Sequence, residues 1–143
     1  MGLRFTKTPP ETPFISPDQL ETGDILLFHG HTTMDVGVQI GTRCPWGHAA
    51  IVCRDPDFTM PKLRGLYIWE SSTNNFQDAE DHRYKMGVQM VDASKRFAEA
   101  KSLGTKIYVR KLHDVNRNSH MFQSKLATAH NLLHNLPYDT TAV

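Results

Sequence analysis

Short apolar runs bounded by turn residues constrain this chain more than any other feature. Ile25-Leu26-Leu27-Phe28 follows Gly23-Asp24, His48-Ala49-Ala50-Ile51-Val52 follows Pro45-Trp46-Gly47, and Leu66-Tyr67-Ile68-Trp69-Glu70 follows Gly65. Each run is long enough for a strand and too short for a buried helix. Gly87 to Val91 and Lys106 to Leu112 read as further strands. Strands in series with turn-rich links favour an antiparallel sheet, so the fold class expected is α+β with helices packed on that sheet. Helical spacing is present in three places. Met34, Val36, Val38 and Ile40 suggest a helix over Thr33 to Thr42. Asp92 can cap one reaching about Lys101. Asn118 or Ser119 can cap one from His120 to about Asn135, with Phe122, Leu126, Ala129 and Leu133 on one face and Pro137 beyond its end. Ser16 to Leu20 reads as a short turn, and the polar stretch from Ser71 to Lys85 as a loop.

With 143 residues the chain suits one domain. Pro9, Pro10 and Pro13 mark residues 1–16 as an extended leader, leaving 17–143 as the domain. Hydrophobic residues make up 39% and charged ones 22%, which points to a globular protein rather than a disordered one. The net charge is +1, and the basic residues are scattered, so a nucleic-acid partner is disfavoured. Cys44 and Cys53 form no CxxC pair and imply no disulfide framework, which points to a reducing, cytoplasmic setting. No apolar run is long enough to cross a membrane. Met1-Gly2-Leu3-Arg4-Phe5-Thr6 fits the pattern for N-myristoylation at Gly2, which would add reversible membrane contact; the alternative is a chance match in a loose tail. No glycine pattern for a nucleotide or dinucleotide occurs, and no cofactor is expected.

The chemistry centres on His48 and Glu70. Alternation along a strand puts His48, Ala50 and Val52 on one face and Ala49, Ile51 and Cys53 on the other. On the next strand Leu66, Ile68 and Glu70 share a face. An imidazole can take a proton near neutral pH, and a carboxylate on a neighbouring strand can fix its tautomer, which is two thirds of a nucleophile triad. The residues alone leave a second reading open, with His48 a core histidine and Glu70 a strand-end surface acid. Neither cysteine completes the triad well. Cys53 points to the other face, and Cys44 lies in a loop with no helix N-terminus behind it. Ser71-Ser72 lacks the G-x-S-x-G elbow of a serine hydrolase. His29 and His31 alternate across a strand end. His130 and His134 are one helical turn apart, at metal-ligand spacing, but the segment lacks the glutamate of a zincin. They read as an exposed helix face, with no metal site.

The segments LETGDILLFHG, WGHAAIV, LYIWESS, GVQMVDASKRF, KIYVRKL and LPYD together resemble the circularly permuted papain-like branch of the NlpC superfamily. This is the YiiX/YebB-like group of cysteine hydrolases, related to lecithin:retinol acyltransferase. The resemblance runs from about Leu20 to Asp139 and is most specific at the Gly-Asp strand and the histidine strand. It implies a catalytic role for His48 as general base and for Glu70 as its orienting partner. It also implies peptide or acyl-lipid substrates bearing amide or ester bonds. Trp46 and Tyr138 become candidates for substrate binding, although Trp46 could equally be a core aromatic. In that group the nucleophilic cysteine opens a helix after the Pro-Tyr-Asp stretch. Pro137-Tyr138-Asp139 is followed here only by residues 140–143, so the nucleophile is expected beyond Val143. Its helix would be missing, leaving Ala50 and Val52 uncovered. The alternatives are a catalytically inactive pseudoenzyme serving as a binding module and a histidine-rich metal-binding protein.

Overall fold

The Gly23-Asp24 turn sets the first long strand. Gly23 adopts φ +93° and its N–H donates to the Val52 carbonyl at 2.9 Å; a Cβ there would come within 2.7 Å of Leu112. Asp24 is fully buried and binds two segments of the chain together. It accepts from Lys111 Nζ at 2.6 Å, Arg117 Nη2 at 3.1 Å and the backbone N–H groups of Glu21 and Leu112. Burial opposes the charge of this carboxyl. The Lys111 ammonium and the two N–H groups outweigh that cost and hold its pKa below the usual carboxylate range.

The computed structural model describes residues 12–13, 16–139 and 141. The strands are β1 (Thr12–Pro13), β2 (Ile25–His29), β3 (His48–Arg54), β4 (Leu66–Gln77), β5 (Tyr84–Asp92) and β6 (Lys106–Arg110). They form one antiparallel sheet in the order β1-β6-β2-β3-β4-β5. The helices are α1 (Thr33–Thr42), α2 (Ala93–Ser102) and α3 (His120–Leu133). The expected α+β class is therefore what the chain adopts. Among the described residues no helix is long and apolar enough to cross a membrane.

Capping explains the helix starts. Thr32 and Asp35 form a reciprocal capping box on α1. Asp92 accepts from the N–H groups of Ser94 and Lys95 at the start of α2, and Ser119 from that of Phe122 at the start of α3. Ser16 caps a single 3-10 turn at Pro17–Gln19.

Three expectations need correction. The stretch from Ser71 to Lys85 is not a loop: β4 runs on to Gln77, and Tyr84 already belongs to β5. Its polar residues are tolerated because the β4–β5 pairing supplies backbone hydrogen bonds, with a register shift between Ser72 and Phe76. The leader is not wholly outside the sheet, since Thr12 pairs with Val109 and Pro13 with Tyr108. Pro13 suits this position because β1 is an edge strand. The Gly2 motif lies outside the described residues. Finally, Ala50 and Val52 are buried, not uncovered. They pack with Leu26, Phe28, Ile68 and Ala93, with Phe97 against the same cluster, so α2 covers their face. Burying side chains such as Val52 and Ile68 contributes about 1.5–3 kcal/mol each.

The opposite face carries a second cluster of Cys53, Leu63, Trp69 and Met90, with Ala129 of α3 packed against it. Here the sheet is less completely covered. A groove of about 350 Å³ lies between Ile51, Trp69 and Val88 on the strands and Ala129 and Leu133 on α3.

Candidate active site

His48 and Glu70 are brought together by strand register. Val52 pairs with Ile68 and Ile51 with Trp69, which sets His48 and Ala50 on the same sheet side as Glu70. His48 Nε2 bonds Glu70 Oε2 directly. The Glu70 side chain is fully buried, whereas that of His48 keeps 23% exposure, so the acid is fixed inside and the base reaches the surface. The His48 ring also packs on Phe28, its β2 register partner, with centroids 5.3 Å apart.

A third group completes the cluster. Arg96 of α2 donates through Nε to Glu70 Oε1 at 2.9 Å and Oε2 at 3.3 Å. Its guanidinium lies 4.3 Å from the centre of the Phe28 ring and donates through Nη1 to Glu99 at 2.6 Å. Glu70 thus faces an arginine on one side and His48 on the other. A carboxylate only accepts, so the Glu70 bond requires the proton of a neutral His48 to sit on Nε2. Nδ1 is then the ring nitrogen left to take a proton. Burial raises the Glu99 carboxyl above its ordinary pKa against the pull of Arg96, and the charge of Glu70 adds to the rise.

A cleft of about 130 Å³ opens beside this cluster. Its lining includes His48, Arg96, Glu99, Ser72, Thr73 and Tyr138. Tyr138 is delivered by a close crossing of backbones. Gly87 bridges Pro137, and Val88 N–H donates to the Leu136 carbonyl at 2.9 Å. Gly87 has φ +127°, and a Cβ there would sit 2.3 Å from the Leu136 oxygen, so only glycine fits. Trp46 is not part of this lining. Its ring rests on Tyr108 at 4.9 Å between centroids and edges on His29 at 6.3 Å. Trp46 is half-buried and belongs to neither apolar cluster of the sheet.

The thiols lie elsewhere. Cys53 is fully buried on the face opposite His48; burial, with the charge of Glu80, pushes its pKa up to about 12. Cys44 follows the C-terminus of α1, its N–H donating to the Gln39 carbonyl at 3.2 Å. Neither cysteine lines the cleft. Its hydroxyls include Ser71 and Ser72, which sit on a regular strand rather than a nucleophile elbow.

A second histidine–glutamate cluster lies under α3, where an exposed helix face was expected. His130 is buried and its Nε2 lies 2.9 Å from Glu80 Oε2. His134 Nδ1 lies 3.1 Å from the same oxygen. Three ligand atoms, one from each residue, lie within 4.8 Å of one another, a set able to hold a metal ion. The glutamate absent from the helical motif comes instead from the β4–β5 turn.

Arg96, Glu99 and Glu80 had not been read as site residues. Arg96 left a signal in the sequence. Ala93, Arg96 and Ala100 are the buried residues of α2, so an arginine occupies the helix's inward stripe. Glu80 left none, because its partners are far along the chain.

Comparison of the chain with family models, with curated proteins and with solved structures finds no match. The functional reading therefore rests on the residues and their geometry.

Proposed function

We propose that His48 and Glu70 are the base and orienting residue of a papain-like thiol hydrolase or acyltransferase acting on amide or ester bonds. The observation that carries this reading is the His48–Glu70 bond at the mouth of a cleft, with the carboxylate locked by Arg96 and Nδ1 left for a proton. His48 takes the thiol proton through Nδ1. The thiolate attacks the substrate carbonyl, and His48 returns the proton to the departing amine or alcohol. The resulting thioester is resolved by water, or by an acyl acceptor, with His48 again as base. Positioned acid–base catalysis of this kind contributes about 10²–10⁴-fold in rate.

The thiol itself would come from polypeptide following Tyr138 and Asp139, past Val143, in keeping with the permuted NlpC-type resemblance. Tyr138 already lines the cleft, so a segment continuing from it begins beside His48. Tyr138 would then line the approach for a peptide or acyl-lipid substrate. The reading carries with it a reducing, cytoplasmic setting, with Gly2 acylation as a reversible membrane tether. One observation favours the pseudoenzyme alternative: among the described residues no thiol lines the cleft, as a binding module would allow.

Extending the chain with the coding sequence downstream of Val143 tests the proposal. The extended protein is expected to carry a cysteine that an acylating thiol probe labels rapidly. His48→Ala should slow that labelling about 100-fold or more. A stop codon directly after Val143, or labelling indifferent to His48, sinks the enzyme reading and leaves the binding module.

A further inference from the structure

We propose that Glu80, His130 and His134 form a binding site for a zinc-type divalent transition-metal ion, separate from the His48 cleft. Two neutral imidazoles and one carboxylate are a donor set suited to zinc, which takes three protein ligands and leaves a fourth position for water. Ligand-to-metal bonds of about 2.0–2.1 Å in a tetrahedron put donor atoms about 3.3–3.4 Å apart. The two imidazole nitrogens stand 2.9 and 3.1 Å from Glu80 Oε2 and the three ligand atoms lie within 4.8 Å of one another, so the nitrogens need to close toward each other to hold an ion.

The surroundings are those of a prepared site. Glu80 is buried, and its second oxygen, Oε1, accepts the Met60 N–H at 3.3 Å. Its own N–H is held by Asp78 Oδ1 at 2.7 Å, which fixes the β4–β5 turn that presents it. The His130 ring is buried against Phe58 at 5.3 Å and Trp69 at 6.0 Å between centroids, an apolar surround on that side of the cluster. His130 Nδ1 is buried with no hydrogen-bond partner. Asn135 Nδ2 donates to His134 Nε2 at 2.8 Å, which puts the His134 proton on Nδ1 toward Glu80; an ion on Nδ1 displaces that proton and requires the Asn135 amide to turn its oxygen to Nε2.

The contrast with Glu70 is chemical. Glu70 accepts from a guanidinium, whose fixed charge repels a cation; Glu80 has a second imidazole in that place. Glu80 and His130 are 50 residues apart in sequence, so a bound ion would staple α3 to the β4–β5 turn.

The test uses the full chain stripped with a chelator, then titrated with zinc chloride and, in parallel, with magnesium chloride. One zinc ion is expected to bind per chain and raise the melting temperature, with no response to magnesium. Cobalt(II) should give the visible bands of a four-coordinate site. His134 is partly exposed, so His134→Gln should fold normally and melt like the metal-free parent. It should bind zinc about 100-fold more weakly. His29→Asn combined with His31→Asn should leave zinc binding unchanged. The proposal is overturned if zinc does not bind, if His134→Gln binds it as well as the parent, or if the His29/His31 variant loses it.

Discussion

Among the described residues two buried glutamates, Glu70 and Glu80, each hold a histidine, and they sit in different company. Glu70 lies on the α2 side of the sheet and faces one histidine and one arginine. Glu80 lies on the α3 side and faces two histidines. Arg96 supplies Glu70 with a permanent counter-charge. That leaves a directional pair in which the acid is fixed and His48 stays partly exposed. Glu80 has no arginine, so its two imidazoles converge on one oxygen. The neighbour of a carboxylate thus decides whether a histidine–glutamate pair is suited to moving a proton or to holding an ion.

The largest contrast should come from neutralising each acid. Glu70→Gln removes one of the two carboxylates that Arg96 contacts and leaves it Glu99, so it should destabilise the fold by about 1.5–3 kcal/mol. Glu80→Gln strands no arginine and should cost about 1–2 kcal/mol. Urea unfolding of the two variants measures both. Equal losses would mean that Arg96 does not distinguish the sites.

Acid sensitivity should show at Asp24. Its folded pKa is depressed, so its contribution to stability is complete above the unfolded value of 3.8 and is lost as pH falls through the folded value. Asp24→Asn should remove about 2–4 kcal/mol at neutral pH, because it breaks a fully buried acid away from Lys111 and Arg117. It should also flatten the loss of stability as pH falls below 3.8. A variant whose acid limb matches the parent's would move the acid-sensitive group elsewhere.

The smallest effects should separate the two helices. Asp92→Ala and Ser119→Ala each remove a cap and should cost about 1 kcal/mol. Loss of the Ser119 cap should loosen α3, with hydrogen exchange rising at His130 while the His48 strand stays protected. Loss of the Asp92 cap should loosen α2 and expose Arg96. Faster exchange at both sites in both variants would mean that the two faces are one cooperative unit.

The two sites were unequally legible in the sequence. His48 and Glu70 stand at opposite ends of apolar runs, so strand alternation alone put both on definable faces, and pairing did the rest. The caps at Asp92 and Ser119 were legible because capping is local. The second site was hidden for two reasons. Ser71 to Gln77 carries a polar strand whose stability comes from pairing with β5 rather than from apolar content. Without that hairpin, Glu80 had no assigned position. His130 and His134 then read as solvent-facing, although their partner waits 50 residues earlier in the chain. Which face needed cover was also misjudged. Small residues at Ala50 and Val52 make room for α2 of this same chain.

The central claim is that Glu70 fixes the tautomer of His48 so that Nδ1 is its basic nitrogen. Long-range nitrogen–proton NMR on the nitrogen-15-labelled chain reads this directly. In the neutral ring the proton is predicted to reside on Nε2, with Nδ1 showing the shift of a bare, pyridine-like nitrogen; Glu70→Gln should relax that preference. A His48 ring protonated on Nδ1, or one unchanged by Glu70→Gln, would contradict the account.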